Sequence, residues 1–372
     1  MNTPLTSAAP APEGRVFHTL DALRGIAAIG VVMFHMRGEF LSVAAPGGYL
    51  AVDLFFMISG AVLSHAYEAR FRAGMGTIDF MRVRLIRLYP LYLLGTLFGI
   101  AVVLASMLGQ NSQNWDAASL LQAGLLALLF LPSVSIRPVN QLFPLNVPCW
   151  SLFLELLVNL LFVVFWPLLT SRRLIMVCLI TGSMVGVATF HHGNIDQGWI
   201  AAQFPVGLAR TLFGFSVGIL IARHVLPARC RQSNTSVLAI IAVFGVAIAG
   251  WPNGGLRVIW DAVCVLAVFP LLVCAATFVN PGAQLRRVAT FLGVTSYAVY
   301  VLQNPLVSVV NSATRHLPVS SGEGPGAPGL GLAVLAVLLT GCWLVDQLYD
   351  TPIRRWLSRV IPGKTTNRTQ SP

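Results

Sequence analysis

The chain has 372 residues, 56% of them hydrophobic and only 10% charged, with a mean hydropathy of +0.76. That balance excludes both a soluble globular domain and a disordered chain. The formal charge of +11, from 24 basic and 13 acidic residues, reads as loop orientation in a membrane rather than as a nucleic-acid partner.

Residues 1–17 are rich in Pro, Ala and Thr and lack an apolar h-region, so they read as a disordered cytoplasmic tail, not a cleaved signal. Apolar segments follow at 20–37, 48–67, 88–108, 117–132, 150–170, 173–192, 204–226, 236–251, 256–279, 288–311 and 328–349. Most approach the roughly 20 residues that cross about 30 Å of hydrocarbon. The expected fold class is therefore an all-α polytopic membrane protein. Basic residues follow the second segment (Arg70, Arg72, Arg82, Arg84, Arg87), the fifth (Arg172, Arg173), the seventh (Arg223, Arg229, Arg231), the ninth (Arg286, Arg287) and the last (Arg354, Arg355, Arg359, Lys364). These can share the cytoplasmic side only if one segment between Arg87 and Arg172 fails to cross. Of the segments in that interval 117–132 is the shortest, and Pro132 ends it. It is expected to dip in and return as a re-entrant or interfacial helix. The expectation is about ten crossings of a bacterial-type inner or plasma membrane with both termini cytoplasmic. Residues 18–355 form the membrane domain and 356–372 a basic tail. The six cysteines form no CxxC and read as apolar packers. His191 and His192 have no evident co-ligands, so no metal site is expected.

Ionisable groups inside apolar runs are costly and mark functional sites. In the first segment Arg24 and His35 are eleven residues apart. That is almost three helical turns, which puts both on one face about 16 Å apart along the axis. The second segment carries Asp53 and a small Ser59-Gly60 step suited to close helix approach. Arg84 and Arg87 share a helical face where the chain enters the bilayer. They suit either a phosphate group or simple anchoring to anionic lipid. In the fifth segment Trp150 suits the outer interface. Glu155 lies deeper, placed to pair with a cation of another helix or to bind hydroxyls. Arg210 reads as an architectural partner of Glu155 or Asp53. Asp261 and Asp346 are further embedded acids without an assigned partner, and His65, His224 and His316 read as interfacial. A transporter or flippase of a polar substrate would also use such residues, but no inverted repeat or matching pair of broken helices is evident.

Together the motifs resemble the acyltransferase-3 family of integral membrane O-acyltransferases. The resemblance is carried by Leu20-Asp21-Ala22-Leu23-Arg24-Gly25 with His35, by Asp53-Leu54-Phe55-Phe56 with Ser59-Gly60, and by Arg84-Leu85-Ile86-Arg87-Leu88-Tyr89-Pro90. It continues through Trp150-Ser151 with Glu155, Ser296-Tyr297-Ala298-Val299-Tyr300, and Pro352-Ile353-Arg354. It implies transfer of an acyl group, most often acetyl, from cytoplasmic acyl-CoA to a hydroxyl. The acceptor would be extracytoplasmic or lipid-linked, usually a cell-surface carbohydrate. Acyl-CoA would be a co-substrate, with no tightly bound cofactor. By resemblance Arg24 and His35 match the family's essential arginine–histidine motif. Arg84 and Arg87, with Tyr89 beside them, match its donor-binding arginine motif, and Glu155 its acidic position. Asp53, Ser59, Trp150, Arg210 and Tyr297 are supporting candidates. His35 would act as general base near neutral pH, an acyl-His intermediate being the alternative. Two positions depart from the pattern. Gln303 stands where the family has His, and Asp350 where it has Glu. Gln303 cannot titrate, so its expected role is positioning; a catalytically silent relative is the other possibility.

Overall fold

The computed structural model describes residues 16–36, 45–109, 115–133, 140–226, 230–250, 252, 254–314 and 328–361. Most of the expected N-terminal tail lies outside the described residues, as do most of the 37–47 and 312–327 loops, Arg229, His316 and Lys364. Helices dominate: α1 (His18–His35), α2 (Ala51–Arg72), α3 (Thr77–Leu108), α4 (Ala117–Leu128), α5 (Cys149–Val164), α6 (Ser171–His192) and α7 (Phe204–His224). They continue as α8 (Asn234–Ala249), α9 (Gly255–Val263), α10 (Phe269–Phe278), α11 (Ala283–Thr314), α12 (Gly329–Val345) and α13 (Thr351–Val360). π-helical stretches at Cys264–Val268 and Asp346–Asp350 join α9 to α10 and α12 to α13. The only described strands, β1 (Arg231–Gln232) and β2 (Val279–Asn280), pair in parallel and tie the start of α8 to the end of α10.

Among the described residues six helical stretches are long and apolar enough to cross a membrane: Gly48–Arg72, Thr77–Leu108, Ser171–His192, Ala201–His224, Gly255–Phe278 and Gly329–Val360. Their outer faces stay apolar. Leu179, Ile180, Val187 and Phe190 of α6, and Leu332 and Val337 of α12, are exposed, which is stable only in a hydrocarbon surround. The chain is thus an all-α integral membrane protein.

The 117–132 segment forms α4, whose 12 residues rise only about 18 Å. Asp116 caps it by accepting from the Ser119 amide at 2.7 Å; Ser119 thereby holds the Asp116 carboxyl below the usual range. Its last turn is closed by two tyrosines of α3. Tyr92 and Tyr89 donate to the carbonyls of Ala127 and Leu128 at 2.6 and 2.7 Å.

Arg82, Arg84 and Arg87 do not lie in a loop. Only residues 73–76, with Gly74 at φ +92°, separate α2 from α3. Beyond them no breaker precedes Pro90, and arginine is a good helix former whose stem tolerates an apolar surround.

Two helix crossings set the interior. Gly60 of α2 faces the backbone of Phe215, and Gly218 of α7 faces the backbone of Met57, so that a Cβ at either would collide. Likewise a Cβ on Gly293 of α11 would come within 2.6 Å of the Asp21 Cβ on α1. Small residues let backbones approach this closely. In α11, Pro305 has no amide to offer the Val301 carbonyl four residues earlier. Asn146 Nδ2 donates to that oxygen instead, at 2.9 Å.

Candidate functional site

Two cavities lie toward opposite ends of α1. The first, about 400 Å³, is lined by Arg24, Ser59, Arg84, Arg87, Glu155 and Tyr297, among others. The second, about 280 Å³, is lined by His35, Tyr49, Trp150, Asp196, Trp199 and Asn304, among others. Arg24 and His35 therefore do not share a chamber, although one helix carries both.

In the arginine cavity Arg84 is buried and donates to Glu155 Oε1 at 3.0 Å. The Ser59 hydroxyl donates to the same oxygen at 2.6 Å. The Ser-Gly step thus does two jobs: Gly60 admits α7, and Ser59 holds the acid. Arg24 is half-buried. It reaches Asp21 at 3.2 Å, the Ser296 hydroxyl at 3.2 Å and the Gly293 carbonyl at 3.1 Å. Arg87 forms no ion pair among the described residues. Arg24, Arg84 and Arg354 repel it electrostatically, and Glu155 attracts it without forming a bond. The cavity is therefore cationic, with one guanidinium uncommitted. Arg354 is itself held by Asp350 at 2.9 Å and Asp346 at 3.4 Å. The shorter acid at position 350 still reaches its arginine because the two lie four residues apart on one helical face.

In the histidine cavity His35 Nδ1 lies 2.9 Å from the Val31 carbonyl and 3.1 Å from Gln303 Oε1. A carbonyl only accepts, so both contacts call for a proton on Nδ1. Gln303 is fully buried and orients the imidazole without any charge of its own. Nearby, Arg210 Nε and Nη2 grip both oxygens of Asp53 at 3.0 and 2.7 Å, with both side chains 1% exposed. Arg210 also donates to the Gln197 carbonyl and stacks 5.6 Å over Trp150.

Trp150 is buried, its ring in a slot that Gly198 and Gly207 leave open. Tyr89 is absent from the arginine cavity lining; its hydroxyl is committed to α4. Tyr297 lines the cavity while donating to the Leu88 carbonyl at 2.6 Å. Asp261, without an assigned partner in the sequence, accepts from the Tyr49 hydroxyl at 2.6 Å and the Ile195 amide at 3.1 Å. Sequence reasoning did not single out Tyr49, Val52, Asn146, Asp196 or Trp199. None is an anomaly of charge in an apolar run, apart from the loop residue Asp196, and the helix crossings alone bring them together.

Buried ionisable groups lining two adjoining cavities in a helical bundle define a membrane protein built to handle polar groups at depth. The acyltransferase-3 family model, described as an acyltransferase domain, matches residues 17–346, and the chain belongs to this family. It is 36% identical over 180 residues to "Protein 2 in picA locus" of Rhizobium radiobacter, covering 46% of this chain and 94% of that protein. O-acetyltransferase OatA of Staphylococcus aureus is 24% identical across 90% of this chain, which spans 57% of that longer protein. "Putative membrane-bound transacylase BcsY" of Komagataeibacter xylinus is 26% identical over 88% of this chain and 81% of its own length. No solved structure matches.

Proposed function

We propose that the chain transfers an acyl group, most often acetyl, from cytoplasmic acyl-CoA to a hydroxyl of an extracytoplasmic or lipid-linked carbohydrate. The observation that carries this reading is the pairing of a cationic cavity, with Arg87 uncommitted, to a second cavity holding an oriented imidazole. Arg87 binds CoA phosphate, and Arg24 steadies the arm. Arg84 acts indirectly: its bond to Glu155 holds the acid and Ser59 on the cavity wall. The pantetheine arm then runs up the roughly 16 Å of α1 to His35. His35 Nε2 takes the acceptor hydroxyl's proton as its oxygen attacks the thioester carbonyl. The C–S bond breaks as the ester C–O bond forms, and the proton passes to the departing thiolate. Trp199 offers a ring, and Asp196 and Asn304 polar groups, as a sugar requires. The name of OatA supports O-acetylation.

In the membrane this reading has about ten crossings, α4 as a re-entrant or interfacial element, and both termini cytoplasmic. The basic ends of the helices support that orientation. His35→Ala should abolish labelled-acyl transfer by purified protein supplied with acyl-CoA and host glycan extract, while leaving its elution profile unchanged. Near-normal turnover in that variant would remove His35 from the reaction.

A further inference from the structure

We propose that Val52 and Tyr300 form a neck between the two cavities and set the largest acyl group the chain transfers; the proposal rests on the acyl-transfer reading. Among the described residues the two cavities share two lining residues, Val52 of α2 and Tyr300 of α11. Val52 is 7% exposed and Tyr300 5%, so little space surrounds either. The Tyr300 ring is also latched. Its hydroxyl lies 2.7 Å from Ser151 Oγ and donates to the Pro148 carbonyl at 3.2 Å. Ser151 lines the arginine cavity and Pro148 the histidine cavity, so the latch spans the partition. On its other side the ring meets Phe55 edge to face, 5.5 Å between centroids.

A thioester anchored at Arg87 reaches His35 only past this pair, and the free thiol leaves the same way. The bond exchange is the one already given: C–S breaks, C–O forms, and the hydroxyl proton ends on sulfur. An acetyl group carries one methyl past the carbonyl. With the thioester at His35 the acyl group lies in the histidine cavity, whose wall includes both residues, so every further methylene must find room beside Val52 and Tyr300. A tight apolar wall rejects one surplus methylene by about 10–200-fold. Tyr300 and Val52 thus select the donor, whereas His35 and Arg87 do not sense acyl length.

The test uses the full chain in detergent, isotope-labelled acetyl-, propionyl- and butyryl-CoA, and glycan and lipid extract of the expressing host as acceptor. Labelled ester is read by mass spectrometry. The wild type should transfer butyryl at least about tenfold less well than acetyl. Val52→Ala and Tyr300→Ala should each raise the butyryl-to-acetyl ratio about tenfold. Val52→Phe should depress transfer of all three donors while CoA affinity, measured by titration, stays at the wild-type value. A ratio unchanged in a folded Val52→Ala protein overturns the neck, whatever becomes of Tyr300→Ala. Loss of CoA affinity in Val52→Phe overturns it too, because the substitution would then act on anchoring and not on passage. No labelled ester from the wild type with any donor removes the acyl-transfer reading, and the neck with it.

Discussion

Replacing Asp53 with Ala should be among the most damaging single changes in the bundle. Arg210 would keep its bond to the Gln197 carbonyl and its stacking on Trp150. It would lose both charge-assisted bonds, at 3.0 and 2.7 Å, at a site only 1% exposed. Removing one partner of such a pair strands a buried charge and costs about 3–5 kcal/mol. At about 1.4 kcal/mol per tenfold, that is a loss of roughly two to three and a half decades in the folding equilibrium. Arg210→Met should cost a similar amount, because it strands the carboxylate instead. The double variant Asp53→Ala with Arg210→Met strands no charge, so it should recover most of the loss. Thermal unfolding of the detergent-solubilised protein, followed by size-exclusion fluorescence, reads all four forms. If the two single losses simply add in the double variant, the pair is not coupled and the argument fails.

Four further outcomes follow from the geometry. Arg87→Ala should weaken CoA binding about 10–100-fold, the worth of charged hydrogen bonds, with thermal stability unchanged. Arg84→Ala should lower stability because it strands Glu155, and equal effects of the two on stability would refute their different roles. Tyr92→Phe should cost about 1 kcal/mol and speed amide exchange in the last turn of α4; protection there equal to wild type would mean the hydroxyl does not close the helix. Gly293→Ala should force α1 away from α11 at about 1–3 kcal/mol, since its Cβ would come within 2.6 Å of Asp21. An unaltered melting profile would show the crossing to be looser than described.

Which residues matter was legible wherever physics makes a residue expensive. Asp53, Glu155 and Arg210 stand out because charge in an apolar run must be paired, and all three are. Which partner each takes was not legible. Arg210 chooses Asp53 over Glu155 because Gly60 and Gly218 draw α2 and α7 together, a three-dimensional fact that local pattern does not carry. The aromatic-belt rule speaks to depth alone, so it did not reveal that Trp150 fills a slot opened by two distant glycines. Hydropathy likewise began the apolar segment only after Arg84 and Arg87, since it counts charge while the backbone counts hydrogen bonds. Gln303 was visible as a departure from the family pattern. Its meaning needed the Val31 carbonyl beside it, since both contacts call for a proton on Nδ1.

The bond from Asn146 to Val301 makes two remote positions a single unit of inheritance. With Pro305 present, the Val301 oxygen needs an outside donor; with any other residue there, the helix would supply its own and the asparagine would compete with it. A lineage can therefore exchange both residues together far more readily than either alone. The segment that moves with Asn146 includes Val147 and Pro148, part of the wall around His35. Homologous chains that lack the proline should thus carry a differently shaped chamber around His35, and the identity of residue 305 becomes a marker of that shape.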